Sequence, residues 1–342
     1  MKNKIFYLAL SLFISVFAMC SCSKPSEIKI VKLGDYTPLD VQAVKLNVSD
    51  EPLIFNNCYC TSNGVVLMQL SNAALPCVYL FDYQGNLIAK GCPQGRGPNE
   101  LVDMDIRFFA ETERGFQLFD ITHKICNVEV VADGTMKITD RKELAYKQAA
   151  NYLTYLGDDK YALLAEQDGA QYHKNELCIS SLDPDFETFF FGEYPTADTP
   201  DKVFLCLKQG VASIPQERFA YFYYNFGRFR MYDYNGKMIR EVGIDGEWNV
   251  TPSSDFSQLK RYFTNQTAND THIYSMYTGD HRDPNAGTSI LQWDWEGNLV
   301  GQFVLPGKFN RMSVTKDDSR LVLLNLDSDE VEMYVAKLPN TK

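Results

Sequence analysis

A hairpin pattern that returns about every fifty residues constrains the fold of this 342-residue chain most strongly. In the first copy an apolar run, residues 78–81, leads into Asp82, and Gly85 precedes a second apolar run. Glycine supplies the positive φ that such a turn needs, and the Asp side chain hydrogen-bonds the turn backbone. The turns fall near residues 85, 134, 184, 236 and 297, with the third copy degenerate. One period over the whole chain predicts a propeller or solenoid rather than two β-sandwiches.

Each repeat contains a further β-rich run upstream of its turn. The repeats therefore show the periodicity of strands rather than that of helices. These runs are residues 65–70, 115–120, 160–165, 218–224 and 272–277. A sixth unit follows the fifth turn but ends before its last strand, and residues 41–48 have the partial alternation of a strand that would replace it. The sequence therefore predicts an all-β fold, a six-bladed β-propeller closed by an N-terminal strand that joins the last blade.

The N-terminus has the features of an export signal. Two lysines precede an uncharged apolar run, residues 5–19, which is too short for a comfortable membrane span. Cys22 follows the small residue Ser21, as in a bacterial lipobox, although Met19 and Cys20 fit that motif imperfectly. We predict that Cys22 is lipidated and becomes the mature N-terminus. The alternative is an ordinary secreted protein that is cleaved nearby.

These observations divide the chain into a lipoprotein signal peptide (residues 1–21), a tether (22–38) and the propeller (39–342). The predicted location is the bacterial cell envelope, on the periplasmic or outer-membrane surface, with membrane contact through the lipid anchor only. The 44 acidic residues exceed the 33 basic ones, which gives a net charge of −11. This balance argues against a nucleic-acid partner.

A short glycine-rich segment after the first blade carries a family resemblance. Residues 95–100 read Gly-Arg-Gly-Pro-Asn-Glu. With the lipobox-like start and the six β units, this segment resembles the TolB-like six-bladed propeller lipoproteins of Bacteroidota, in which Gly-x-Gly-Pro-Gly-Glu follows the first blade. Asn99 replaces the usual Gly, and Asn also adopts left-handed backbone conformations. The resemblance implies the fold and an envelope location, and it carries no common reaction.

Binding is expected on one face of the propeller. The loops between successive blades, and those between the second and third strands of a blade, open on the same face, where ligand sites usually lie. We predict that this face binds a protein, peptide or glycan without catalysis and without a metal or cofactor. The candidate ligand-binding residues are polar or aromatic groups in these loops: Arg96, Glu100, His173, Trp248 and His281.

A second function remains open at this point. His123, His173 and His281 fall in loops of the same predicted face, but they lack a metal-ligand spacing and are interpreted as loop histidines. The alternative function is a propeller hydrolase or lactonase with a divalent metal in the central channel. Asp103 and Asp105 are residues of the type that such a site requires.

Overall fold

The computed structural model describes residues 27–48, 55–70, 75–148, 150–165, 173–196, 202–249, 259–279, 287–327 and 331–339. The predicted signal peptide and Cys22 lie outside these ranges. The described strands form six sheets of four or five strands, one sheet for each repeat unit. This arrangement confirms the predicted six-bladed β-propeller.

The strands follow one another blade by blade along the chain. The N-terminal segment supplies β1 (Lys29–Val31), β2 (Leu39–Asp40) and β3 (Ala43–Leu46), with a 3-10 turn at Leu33–Asp35. Blades 1 to 3 comprise β4 (Phe55–Thr61), β5 (Gly64–Gln69), β6 (Val78–Phe81), β7 (Leu87–Gly91); β8 (Ala110–Thr112), β9 (Gly115–Asp120), β10 (Lys124–Val130), β11 (Met136–Glu143); and β12 (Thr154–Gly157), β13 (Lys160–Leu164), β14 (Asn175–Ser181), β15 (Phe189–Glu193).

Blades 4 to 6 complete the ring, and a short helix, α1 (Lys202–Leu205), precedes blade 4. Their strands are β16 (Lys208–Ser213), β17 (Arg218–Tyr223), β18 (Arg228–Asp233), β19 (Met238–Ile244); β20 (Phe263–Ala268), β21 (His272–Tyr277), β22 (Thr288–Asp294), β23 (Leu299–Leu305); and β24 (Arg311–Val314), β25 (Arg320–Asn325), β26 (Glu332–Lys337). No helix in the described part of the chain is long and apolar enough to cross a membrane.

The repeated Asp and Gly form the hairpin turns between the third and fourth strands of blades 1, 2, 4 and 5. Asp82 Oδ1 accepts the backbone N–H groups of Gln84 and Asn86 at 2.9 and 2.8 Å, and Asp233 and Asp294 do the same in their blades. Gly85 has φ of 92°, and a Cβ there would collide with the carbonyl oxygen of Asn47. The Asp and Gly that recur in the sequence therefore mark hairpin turns, because the backbone geometry of these turns requires the two residue types.

The core lies between neighbouring blades, because each sheet is covered on both faces. All six residues of β5 are buried, which explains its continuous apolar run. Between blades 3 and 4, Phe191 packs edge-to-face on Phe219 and Tyr232, with ring centroids 5.9 and 5.1 Å apart. Such aromatic contacts fix one blade against the next.

The N-terminal segment runs around the outside of three blades. β3 pairs antiparallel with β26 and completes blade 6, as predicted for residues 41–48. Upstream of it, β1 pairs parallel with β19 of blade 4, and β2 pairs parallel with β23 of blade 5. Strand β1 thus lies within residues 22–38, the segment predicted as a tether.

Candidate functional site

The first strand of each blade faces the centre of the ring. These six inner strands and the residues beside them enclose a cavity of about 450 Å³, to which all six blades contribute. Its wall extends to the turns between the first and second strands of the blades, where Ile214, Asp270 and Lys316 are exposed. We call this side the first-turn face and the opposite side the crossover face. A cavity of this size is within the range of small-ligand sites.

Polar groups in the cavity wall connect adjacent blades. The Ser313 hydroxyl of blade 6 accepts the backbone N–H of Cys60 in blade 1 at 2.8 Å. The Thr154 hydroxyl of blade 3 donates to the Tyr221 hydroxyl of blade 4 at 3.4 Å. Hydrogen bonds of this kind satisfy buried polar atoms and hold the ring together.

Gln266 differs from these wall residues. It lies on β20, lines the cavity and is only 5% exposed, yet neither its Oε1 nor its Nε2 has a hydrogen-bond partner among the described residues. On β22 of the same blade, the buried Gln292 donates from Nε2 to the Tyr274 hydroxyl at 2.8 Å. An unsatisfied buried amide costs about 1–3 kcal/mol. Each of these two atoms exposes less than 1 Å² of surface, so the Gln266 amide is enclosed in the cavity wall and does not open into the cavity.

An ionic group borders the cavity mouth. Glu111 accepts the backbone N–H and the hydroxyl of Ser62 at 2.8 and 2.6 Å, and its other oxygen lies 2.7 Å from Lys316 Nζ. Burial alone would raise the pKa of the Glu111 carboxyl, but the bonds from Lys316 and Ser62 outweigh burial and lower it. This group joins blades 1, 2 and 6.

An open groove of about 800 Å³ adjoins the mouth and runs over blades 2 and 3. It shares Glu111, Tyr155, Ile214 and Lys316 with the cavity. Its floor includes neutral polar side chains, among them Gln117, whose oxygen accepts the Tyr161 hydroxyl at 2.8 Å. A ligand that enters the cavity thus has room to continue along this groove.

The predicted residues in the first crossover loop lie away from the cavity. Arg96 is exposed. Glu100 Oε2 accepts the backbone N–H of Gly97 at 2.7 Å, and Arg141 of blade 2 donates from Nη2 to the carbonyl oxygens of Pro98 and Glu100 at 2.9 and 2.6 Å. Glu100 therefore helps to shape its own loop, which is anchored to the outer strand of the next blade.

The other predicted residues belong to different blades. His173 stacks on Phe190, with ring centroids 3.9 Å apart, and its Nδ1 accepts the Asn175 N–H at 3.1 Å. Trp248 is partly buried, and the Arg228 guanidinium lies 5.0 Å from its ring centroid. His281 lies outside the described residues. The structure gives His173 and Trp248 separate local partners and does not bring them together.

The residues considered for a metal have other bonding. Asp105 is buried and forms a two-point ion pair with Arg107, with N–O distances of 2.7 and 2.9 Å. Within the described ranges, no group of three or more His, Cys, Asp or Glu is arranged to hold a metal ion. The seven cysteines from Cys58 onward are free thiols, and all except Cys60 are fully buried.

A buried ionic cluster that sequence reasoning missed lies between blades 3 and 4. The Glu176 carboxylate accepts Lys208 Nζ at 2.9 Å, Arg230 Nη1 at 3.0 Å and the Tyr223 hydroxyl at 2.7 Å. Glu241 accepts Arg230 Nε at 2.7 Å. Burial opposes ionisation of Glu176, but Lys208 and Arg230 outweigh it and lower the pKa of that carboxyl. We call these five residues the Glu176 cluster.

Comparison with known proteins identifies the fold. No family model matches the sequence, and no curated protein matches it. A Bacteroides fragilis protein described as exported has 11% sequence identity and a TM-score of 0.58, covering 92% of this chain and 100% of its own. A DUF4221 family member from Bacteroides vulgatus has 11% identity and a TM-score of 0.51, covering 88% and 96%. At this identity the likeness shows the fold alone.

Proposed function

We propose that this protein is an envelope lipoprotein of the TolB-like propeller type that binds a ligand in its central cavity. The ligand is a small polar molecule or the end of a larger protein, peptide or glycan, and the groove over blades 2 and 3 accommodates the remainder. The lipid on Cys22 holds the acidic body at the membrane. No catalytic step is part of this proposal.

The observation that carries the proposal is a cavity of ligand size whose wall contains the unsatisfied amide of Gln266. Folded proteins rarely leave a buried donor and acceptor without partners, and exceptions often have a functional reason. A ligand that draws the Gln266 side chain toward the cavity and bonds both atoms would recover the free energy that folding leaves unused. The ring is well suited to this role because six strands hold the wall rigid before binding.

Two observations support the envelope location. The N-terminal residues have the pattern of an exported lipoprotein, with Cys22 after Ser21. A Bacteroides fragilis protein of similar fold is described as exported. Both are consistent with a body that acts outside the cytoplasm.

The binding site is tested by retention of small molecules from envelope extract. The wild-type mature protein, Gln266→Met and Arg96→Ala are incubated with the extract, washed and analysed by mass spectrometry. We expect the wild type and Arg96→Ala to retain the same compound and Gln266→Met to lose it. Retention by Gln266→Met together with loss by Arg96→Ala or Trp248→Ala would move the site to the crossover face.

The anchor is tested separately by detergent partition of cells that express the full chain. We expect Cys22→Ser to move the protein from the detergent phase to the aqueous phase, because a lipid chain supplies the membrane affinity. Cys20→Ser is the matched control and should partition like the wild type. Unchanged partition of Cys22→Ser would refute lipidation at this residue.

A further inference from the structure

We infer that the crossover end of the central cavity binds an oxyanion, a carboxylate or phosphate group of the ligand, through Arg107, Arg261 and Arg311. This inference rests on the proposed function, because it gives the chemistry of one end of the same cavity. The observation that carries it is the convergence of these three guanidinium groups where the inner strands begin.

The three arginines come from blades 2, 5 and 6 and stand at the same end of their inner strands. Arg107 precedes β8, Arg261 precedes β20, and Arg311 is the first residue of β24. Each inner strand runs from the crossover face to the first-turn face, so its first residues lie at the crossover end. Arg107 and Gln209, near the start of β16, line the cavity there.

Contacts between side chains connect these residues around Tyr224. The Arg107 guanidinium lies 4.1 Å from the ring centroid of Tyr152, whose ring lies 6.2 Å from that of Tyr224. Arg261 Nη1 donates to the side-chain oxygen of the asparagine after Tyr224 at 3.3 Å. The Tyr224 hydroxyl donates to Gln209 Oε1 at 3.1 Å. Gln209 Nε2 has no partner among the described residues and is not enclosed in the wall, so it remains available as a donor.

Electrostatic effects on two tyrosines place the guanidinium groups near the axis of the ring. Tyr59 belongs to blade 1 and Tyr224 to blade 4, on opposite sides of the cavity. Burial raises the pKa of both hydroxyls, and Arg311 and Arg107 oppose this rise at both. Arg261 opposes it at Tyr224. Because such effects weaken with distance, charges that act on both sides lie between them rather than on the outer surface.

Positive charge exceeds negative charge at this end of the cavity. Asp105 forms its two-point ion pair with Arg107. Arg261 and Arg311 donate to neutral oxygens, the side-chain oxygen of Asn225 and two backbone carbonyls, and neither forms an ion pair with a described residue. Three guanidinium groups thus stand against one carboxylate, although the whole chain has a net charge of −11. The excess charge is available to a ligand.

The donors at this end fit an oxyanion. A guanidinium presents two parallel N–H groups to a carboxylate or phosphate, and these charge-assisted bonds are stronger than neutral ones. A neutral group gains no such bonds, and a cation is repelled. At the opposite end, Glu111 and Asp270 outnumber Lys316 in the wall, which disfavours an anion there. The anionic group therefore faces the crossover end, and the remainder of the ligand extends toward the groove.

The test uses four probes that share a phenyl ring and differ in the attached group: benzoate, phenyl phosphate, benzamide and benzamidinium. Their affinities for the mature protein are measured by ligand-observed NMR at low salt. The variants are Arg261→Gln and Arg311→Gln. Arg96→Gln is the matched control, because Arg96 is exposed in a crossover loop away from the cavity. Lys316→Gln tests the opposite end of the cavity.

We expect benzoate or phenyl phosphate to bind at least about tenfold more tightly than benzamide and benzamidinium. The tighter of the two anions distinguishes a carboxylate ligand from a phosphate ligand. Arg261→Gln and Arg311→Gln should each weaken this binding at least about fivefold, whereas Arg96→Gln and Lys316→Gln should bind the anion like the wild type. Circular dichroism checks that the variants are folded.

Several results would overturn the inference: no anion binding, equal or tighter binding of benzamide or benzamidinium, or unchanged anion binding in a folded Arg261→Gln or Arg311→Gln variant. A loss in Lys316→Gln would move the anion to the first-turn mouth and contradict it as well. If an envelope compound is retained through Gln266 while no anion binds, only this inference fails. If the anions bind through the arginines but no envelope compound is retained, the proposed function fails.

Discussion

The Glu176 cluster and the Gln266 amide are both buried polar regions, but they differ in how they are satisfied. Each oxygen of Glu176 has at least two donors, from Lys208, Arg230 and Tyr223. Gln266 has no partner among the described residues although it is almost as deeply buried. The first region is internally complete, whereas the second lacks both a donor and an acceptor among the described residues.

This difference separates a structural role from a binding role. In the Glu176 cluster, charges from β14, β16 and β18 cross the interface between blades 3 and 4, so the cluster fixes one blade against the next. In the cavity the wall bonds already join the blades, and Gln266 adds nothing to them. Buried polarity with satisfied bonds stabilises the ring, whereas the unsatisfied amide of Gln266 does not, and it lies in the wall of the candidate ligand site.

The largest effect should come from removing the central charge of the cluster. Glu176→Gln keeps the shape of the side chain but leaves Lys208 and Arg230 buried without their carboxylate. Breaking a buried ion pair in this way typically costs about 3–5 kcal/mol. We expect a loss of this size in the free energy of unfolding, measured by urea denaturation.

The matched control is Glu332→Gln on β26, whose carboxylate pairs with the exposed Lys45 of the closing strand at 2.6 Å. An exposed pair contributes about 0–1 kcal/mol, so this variant should unfold close to the wild type. If Glu176→Gln and Glu332→Gln lose the same free energy of unfolding, burial does not make the ion pairs of the Glu176 cluster more important for stability than an exposed pair.

The next largest change in the free energy of unfolding should have opposite signs for substitutions of two glutamines in blade 5. Gln266→Met removes an unsatisfied buried amide and should raise the free energy of unfolding by about 1–3 kcal/mol. Gln292→Met removes the hydrogen bond to the Tyr274 hydroxyl and should lower it by about 1 kcal/mol. Thermal and urea unfolding of both variants, without added ligand, measure this contrast. A lower free energy of unfolding in both variants would show that the Gln266 amide has hydrogen-bond partners in solution.

The sequence predicted the fold through features that repeat. Asp82, Asp233 and Asp294 occupy equivalent turns, so the sequence pattern of one hairpin recurs along the chain. The closing strand was predictable because the sixth unit lacks a strand and residues 41–48 resemble one. Strands β1 and β2 escaped prediction because each has three residues or fewer and adds in parallel to the outside of a blade, where no sequence period extends.

The candidate site could not be predicted in the same way. The sequence placed loop residues on the crossover face, but the cavity depends on which inner-strand side chains point to the axis and which of them find partners. The polar run Asn265, Gln266 and Thr267 within a predicted β protein was the available signal. It did not reveal that Asn265 bonds Met312 at 2.8 Å and Thr267 bonds Val314 at 3.1 Å, while Gln266 bonds neither neighbour.

The smallest effect on stability concerns the mouth of the cavity, where the Glu111 carboxylate is bonded to Ser62 and Lys316 but is only partly buried. Lys316→Met removes one partner of Glu111 and leaves the two bonds from Ser62. Because Lys316 is largely exposed, the expected loss at pH 7 is below about 1 kcal/mol. It should shrink further in high salt, which screens exposed charges.

The pH dependence of this loss follows from the pKa of Glu111, which Lys316 and Ser62 lower against the opposing effect of burial. A carboxyl with a lowered pKa in the folded state contributes stability above its unfolded pKa of about 4.3, and that stability disappears as the pH falls through the folded value. The difference between wild type and Lys316→Met should therefore be constant near neutrality and vanish in acid. Urea unfolding of both proteins between pH 7 and pH 2 measures it. A difference that persists at pH 2 would assign the effect of Lys316 to packing of its alkyl chain rather than to its charge.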